Sequence, residues 1–207
     1  YVLWLLAQSG LICLGPMEGK QQTFVLLDEW VPDSPELPKD EALARLALRY
    51  FGGHGPATVR DFAWWTGLSM KDAGLGLELA KDQLHCEKNG GREFWMSRSA
   101  AQAAEPMPHA ALLPGFDEFF LGYKDREDVL DPKYVESVIP GKNGIFQPIV
   151  VKDGRVAGTW KRTVSKRGVE IHVHPFEKDG LAENDVSAEI RRYSAFAGLP
   201  VLATNMA

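Results

Sequence analysis

The stretch His54–Ala73, HGPATVRDFAWWTGLSMKDA, decides how the chain is read, because it holds two helix starts around one glycine. Thr58 stands three residues before Asp61, and Ser69 three before Asp72. In each pair the hydroxyl can accept a free N–H of the first turn while the carboxylate reaches back to the N-cap amide, a capping-box arrangement. Gly67, between the two, tolerates the positive φ that ends one helix and turns the chain sharply into the next. The stretch reads helix, tight turn, helix.

Working outward, Leu43, Leu46, Ala47 and Tyr50 recur at helical spacing from Asp40 until Gly52 and Gly53 stop the pattern. Downstream, Ala73, Leu77, Ala80 and Leu84 share one face of a helix expected from Met70 to about Leu84, with Gly74 and Gly76 weakening it. The following HCEKNGGREFWM gives two short strands about an Asn-Gly-Gly turn. Three helices and a hairpin are the order of a winged-helix unit over 40–98. Residues 1–33 show an apolar helix at Tyr1–Gln8 and a hairpin about GPMEGK, which predicts the tail of a preceding winged helix. The three prolines between Pro32 and Pro38 make an irregular connector.

The Pro-bearing, small-residue run at 97–110, SRSAAQAAEPMPHA, predicts the main domain boundary. Beyond it, IFQPIVV, RVAGTWKRTV and VEIHVHPF are β-branched and aromatic runs divided by Asp-Gly and Arg-Gly turns. They predict antiparallel strands over 110–207, a small β-barrel or curled sheet, closed by a docked helix at Asn184–Ala197. The expected class is α+β.

The 207 residues carry a formal net charge of -5, so no uniform basic field exists to hold nucleic acid, and any such site must be local. Cys13 and Cys86 are too few for a disulfide framework and fit buried thiols in a reducing cytoplasm. The apolar opening from Tyr1 stops at Gln8, Ser9 and Gly10, well short of the roughly 20 residues of a membrane span. It also lacks the basic start and cleavage site of a secretory signal. A soluble cytoplasmic protein whose sequence continues upstream is the expectation.

Three motifs in order, ALRYFGGHGPATVRDFAWWTGLSMKDA, ALLPGFDEFFLGYKDR and VVKDGRVAGTWKR, resemble the AlkZ-like (YcaQ-type) family of winged-helix proteins, and the likeness extends along essentially the whole chain. The resemblance implies tandem winged-helix units followed by a β-barrel, binding to double-stranded DNA, and glycosylase action on alkylated or cross-linked bases. The family's catalytic Gln-x-Gln or Gln-x-Asp triplet does not occur in these residues; Gln21 and Gln22 are adjacent. No catalytic residue carries over, and the triplet is expected upstream.

The helix expected to read DNA carries Lys71 and Lys81 against Asp72, Glu78 and Asp82, the wrong balance for phosphates. Positive charge gathers instead in Lys152–Gly168, which holds Lys152, Arg155, Lys161, Arg162, Lys166 and Arg167 against the single acid Asp153. Strand alternation puts Trp160 and Arg162 on one face and Lys161 on the other. This is a candidate DNA-contacting hairpin, or a solvated strand that Lys and Arg protect from edge pairing. Lys124 and Arg126, in FDEFFLGYKDRED, are further DNA-binding candidates.

Asp117 is the one local candidate for stabilising positive charge at a sugar carbon, against a plain hydrogen-bonded corner. Of the neighbours Trp64 and Trp65, about 100° apart on a helix, one is expected in the core and one over a junction. His85, Cys86, His172 and His174 complete no ligand set, so neither metal nor cofactor is expected. Two function classes stand: the DNA-binding portion of a glycosylase, and a non-catalytic module whose winged helices meet protein and whose barrel takes a ligand.

Overall fold

A computed structural model describes residues 1–33, 35–102 and 109–206, with residue 142 described by its backbone alone. The chain is a mixed α+β fold that divides into two compact units, Tyr1–Ala42 and Leu43–Ala207. In the first unit, helix α1 (Val2–Gln8) leads into the hairpin β1 (Ile12–Glu18) and β2 (Gln21–Leu26) and a short helix α2 (Leu27–Trp30). The strands pair antiparallel from Ile12 opposite Leu26 to Glu18 opposite Gln21, so the expected helix and hairpin are both present.

Helix α3 (Lys39–His54) crosses into the second unit and is followed by α4 (Val59–Thr66) and α5 (Met70–Ala80). At the first start, Thr58 Oγ1 accepts from Asp61 N at 3.2 Å, and Asp61 Oδ2 accepts from Thr58 N at 2.9 Å. At the second, Ser69 Oγ accepts from Asp72 N at 3.1 Å. Gly67 closes α4 at φ 72°, in the left-handed region the turn needs. α5 ends at Ala80, short of the expected Leu84, because a 3-10 turn at Lys81–Gln83 hands Leu84 to the next strand.

Tyr50 and Phe51 from α3 and Phe62 from α4 meet in a core where none is more than 1% exposed. Each such side chain contributes roughly 1.5–3 kcal/mol. Strands β3 (Leu84–Asn89) and β4 (Arg92–Ser97) form a hairpin whose turn residues Gly90 and Gly91 both take positive φ, 58° and 77°. That is the conformation a two-residue turn between right-twisted strands demands. Ala57 adds one bridging residue to β4, exchanging both N–H···O bonds with Trp95 at 3.0 and 2.8 Å. Helix α6 (Arg98–Gln102) follows; of the expected boundary at 97–110, residues 103–108 lie outside the described residues.

The remaining elements are β5 (Ala110–Leu113), α7 (Glu118–Leu121), α8 (Val135–Val138), β6 (Ile149–Lys152), β7 (Arg155–Ser165), β8 (Gly168–Pro175), α9 (Glu183–Ala197) and β9 (Val201–Met206). The strands form one sheet in the order β5-β6-β7-β8-β9. One face packs Trp160, Val169, Ile171 and Val173 against Val186 and Ile190 of α9. The other packs Ile149, Val151 and Val156 against Phe120, Leu130 and Val138. Helix, sheet and short helices thus make three layers.

Two expectations are corrected. Among the described residues β5 and β9 are edges that do not pair with each other, so the sheet is open and does not form the closed barrel expected. The chain also does not close on its last helix, because β9 follows and runs parallel to β8. A parallel neighbour must be reached through a crossover, here α9, so no turn motif in the sequence announces it.

Candidate nucleic-acid interface

The β7–β8 hairpin is rooted in the sheet and free at its tip. Trp160 is 4% exposed, donates its Nε1–H to the Leu113 carbonyl at 2.8 Å and meets Tyr193 of α9 edge-on at 5.7 Å. From Lys161 onward the pattern changes: every residue from Lys161 to Arg167 is exposed, although alternate strand residues face opposite sides. A strand exposed on both faces has left the layered core, so this segment projects. Lys166 and Arg167 form the turn, where Ser165 Oγ accepts from Arg167 N at 3.2 Å and donates to the Gly168 carbonyl at 3.1 Å.

Arg162 lies on the Trp160 face with its guanidinium 5.3 Å from the Tyr193 ring centre, a cation–π contact made while the residue stays exposed. Lys161 sits opposite His172 on the other face, beside Asn205, whose Nδ2 lies 3.3 Å from His172 Nδ1. Among the described residues Lys161, Arg162, Lys166 and Arg167 form no ion pair. Four exposed, unneutralised cations on one hairpin end make a local positive field on an otherwise acidic chain.

The six basic residues that are contiguous in sequence are divided in space. Lys152 and Arg155 flank the turn at the far end of β7, roughly 30 Å from the tip at about 3.3 Å per residue. Lys152 Nζ is 2.7 Å from Asp185 Oδ2, and Arg155 Nη1 donates to the Asp128 carbonyl at 3.0 Å. Asp185 also lies 3.0 Å from His109 Nε2, whose Nδ1 is 2.8 Å from Asp153. The hydrogen bonds from Asp185 and then Asp153 raise the His109 pKa, and those from Lys152 above all hold the Asp185 carboxyl well below its usual range.

Lys124 is exposed, but its backbone N–H donates to Asp61. Arg126 is enclosed: its guanidinium lies 5.1, 4.9 and 5.6 Å from the rings of Trp64, Phe120 and Phe146, and its Nε donates to the Phe120 carbonyl at 2.7 Å. Burial lowers its pKa. Asp117 caps α7, accepting from Phe119 N at 2.9 Å, and the niche beside it is too small for a water molecule.

Neither neighbouring tryptophan is core; both are 40% exposed. Trp64 lies under Arg126, and Trp65 packs on Tyr50 at 5.4 Å and donates to Glu118 Oε2 at 3.1 Å. Both therefore serve the junction between α4 and the segment after β5. Cys13 and Cys86 are free and half-buried. Among the described residues no three His, Cys, Asp or Glu side chains gather as a metal-ligand set, and no helix is long and apolar enough to cross a membrane.

The residue that the sequence reading undervalued is Asp61, the only buried charged side chain among the described residues, at 3% exposed. Oδ2 completes the cap on Thr58, accepting also from its hydroxyl at 2.7 Å. Oδ1 accepts from Lys124 N at 2.8 Å and Asp125 N at 3.3 Å, so one carboxylate ties the helical part to the segment that enters the sheet. Tyr50 and Tyr123 cross the same junction, their hydroxyls donating to the carbonyls of Gly122 and His54 at 2.8 and 2.6 Å. The one available signal was an Asp where a capping box usually has Glu: its shorter arm leaves the second oxygen facing outward.

The family described as DNA glycosylase AlkZ-like matches residues 1–196. An interstrand DNA cross-link repair glycosylase of Streptomyces sahachiroi is 31% identical over 216 residues, an alignment spanning 97% of this chain and 56% of that protein. The solved structure of the Streptomyces sahachiroi DNA glycosylase AlkZ matches with a TM-score of 0.84 at 30% identity, covering 100% of this chain and 57% of that one. The chain therefore spans a little more than half the length of these relatives.

Proposed function

The chain belongs to the AlkZ-like DNA glycosylase family, and from that premise we propose that it is the DNA-gripping portion of a glycosylase acting on alkylated or cross-linked duplex DNA. The observation that carries the reading is the exposed hairpin tip with Lys161, Arg162, Lys166 and Arg167 unpaired among the described residues. A strand-borne tip about two strands wide fits a duplex groove, and its cations fit the phosphates along the groove's edges. Lys152, Arg155, Lys124 and Arg126 are assigned supporting roles, since each is held by, or holds, a neighbouring element.

The helical part serves as the frame. The order α3, α4, α5 and hairpin, with Ala57 bridged to β4, supports reading it as a winged helix, and α1 with the first hairpin as the tail of another. α5, which a DNA-reading winged helix would insert into the groove, exposes Met70, Leu75 and Leu79 and no cluster of cations. Shape without suitable charge does not make a reader.

Excision breaks the bond between base and sugar carbon, leaves positive character on the sugar and requires a positioned water, usually with the nucleotide taken out of the stack. No residue of this chain is assigned that step: Asp117 caps α7, and the family's Gln-x-Gln triplet is not among these residues. The hairpin's contribution is to hold the distorted duplex in register.

The test is binding of a fluorescent duplex to the chain and to the variant with Lys161, Arg162, Lys166 and Arg167 all changed to Ser. Removing four phosphate contacts should weaken binding at least about ten-fold near physiological salt, with the melting temperature unchanged. Equal affinity with an intact fold would remove the hairpin from the interface.

A further inference from the structure

The last turn of α9 presents a bare aromatic ring beside the β7–β8 tip. Phe196 is 89% exposed and lies one helical turn beyond Tyr193, the ring that carries the Arg162 guanidinium. After α9 the chain turns straight back to the hairpin. Ser194 Oγ donates to the Leu199 carbonyl at 2.6 Å, and the Pro200 carbonyl accepts from Val169 N at 2.9 Å, where Val169 pairs with Val164 at the neck of the tip. Val164 is exposed on the strand face that also carries Trp160 and Arg162. Leu202, also exposed, fills the space over Gly168, where a Cβ would meet its Cγ at 2.8 Å.

The core does not call for this ring, because Val186, Ile190 and Tyr193 already supply the packing stripe of α9. Its surroundings decide what covers it. Lys166 and Arg167 form the turn beyond Val164, Arg162 lies over Tyr193, and Glu189, on the same side of α9, is already paired with Arg192 at 3.2 Å. A protein interface enlists about 20–30 residues a side, whereas this ridge is one ring and two aliphatic side chains hemmed in by cations. An apolar slot flanked by anions suits it better, and a duplex offers that slot: phosphates line the groove edges and base faces lie between them.

We infer that Phe196 is a wedge: while the cations of the tip hold phosphates, the ring enters the adjoining base step and stacks on the face that opens there. The inference rests on the reading of the hairpin as the DNA-contacting element. It adds a preference for duplex that is easily unstacked or already lacks a base, because the cost of opening the step falls there. Phosphate contacts alone supply no such preference, since phosphates recur at every step.

The experiment measures binding of the full chain to two short fluorescent duplexes of one sequence, one intact and one with a single central abasic site, a gap that takes a ring. The wild type should prefer the abasic duplex by about five- to ten-fold, and Phe196→Ser should bind both equally. Phe196→Trp, which keeps a stacking face, should retain the preference. Because the ring is exposed and touches no phosphate, Phe196→Ser should leave the melting temperature and the salt dependence of binding unchanged. Equal affinity of the wild type for the two duplexes, or a preference that survives in Phe196→Ser, would overturn the wedge and leave the hairpin in place. A wild type that self-associates in sedimentation and becomes monomeric with Phe196→Ser would also overturn it, giving the ring to a second copy of the chain. Failure of the hairpin reading is separate: the four-Ser variant would then bind the intact duplex as tightly as the wild type.

Discussion

Asp61→Ala should be among the most damaging single substitutions in the chain, although Asp61 touches no proposed ligand of the DNA-binding hairpin. The side chain is 3% exposed and accepts from Thr58 N at 2.9 Å, the Thr58 hydroxyl at 2.7 Å, Lys124 N at 2.8 Å and Asp125 N at 3.3 Å. Alanine removes every one of these acceptors and leaves the Thr58 and Lys124 amides, the two best-placed backbone donors, without a partner. A part-buried donor left unmade costs about 1–3 kcal/mol, so the two together predict a loss of about 3–4 kcal/mol. Asp61→Asn keeps one oxygen but sets its amide hydrogens against one of the two donors, predicting about half that loss. Urea denaturation at constant m-value measures both. Hydrogen exchange adds a local signature: the Lys124 and Asp125 amides should lose protection in the Asn variant under conditions where the core of Tyr50, Phe51 and Phe62 keeps its own. A loss below about 1 kcal/mol for Asp61→Ala would refute the claim that this carboxylate joins the two parts.

Gly74 and Gly76 both sit in α5, yet alanine should act in opposite directions. A Cβ at Gly76 would meet the Leu43 carbonyl oxygen at 2.9 Å, predicting a cost of about 1–3 kcal/mol, whereas Gly74 has open space and should gain about 0.5–1 kcal/mol; thermal melts of the two variants decide it. Arg126→Lys should lower stability by about 1–2 kcal/mol, through the lost Nε donor and ring contacts, without changing DNA affinity. A drop in affinity with the melt unchanged would instead place Arg126 at the DNA. The raised pKa of His109, caused by Asp185 and then Asp153, means that its contribution to stability is complete below the ordinary imidazole value near 6.5 and is lost as pH rises through the higher folded value. Melting temperatures across that range should fall for the wild type relative to His109→Gln, and parallel curves would count against the assignment.

The elements legible in the sequence were those specified by their neighbours in the chain. Thr58 with Asp61, Gly67, the Asn-Gly-Gly turn and the Asp-Gly turn act through local geometry, and each appears where its chemistry puts it. Strand β9 was not legible, because its partner β8 is reached through α9 and parallel pairing leaves no turn signal. The basic run at 152–168 was visible as composition, but an eleven-residue strand carries Lys152 and Arg155 to one end and Lys161 to Arg167 to the other. Arg126 and Lys124 were read from charge alone; of the rings around Arg126 only Phe120 lies in FDEFFLGYKDRED, and nothing in that stretch announces Trp64 or Phe146. Trp64 and Trp65 mislead for the same reason, since the surface they cover is built more than fifty residues downstream.

The account's central claim is that the tip of β7–β8 meets phosphates directly, and the salt dependence of duplex affinity tests it most closely. Four contacts from Lys161, Arg162, Lys166 and Arg167 predict that the logarithm of the association constant falls with the logarithm of salt concentration at a slope steeper by about 3–4 than that of the four-Ser variant. Parallel slopes for the two proteins would mean that these side chains release no counterions from DNA, and the hairpin would lose its place in the interface.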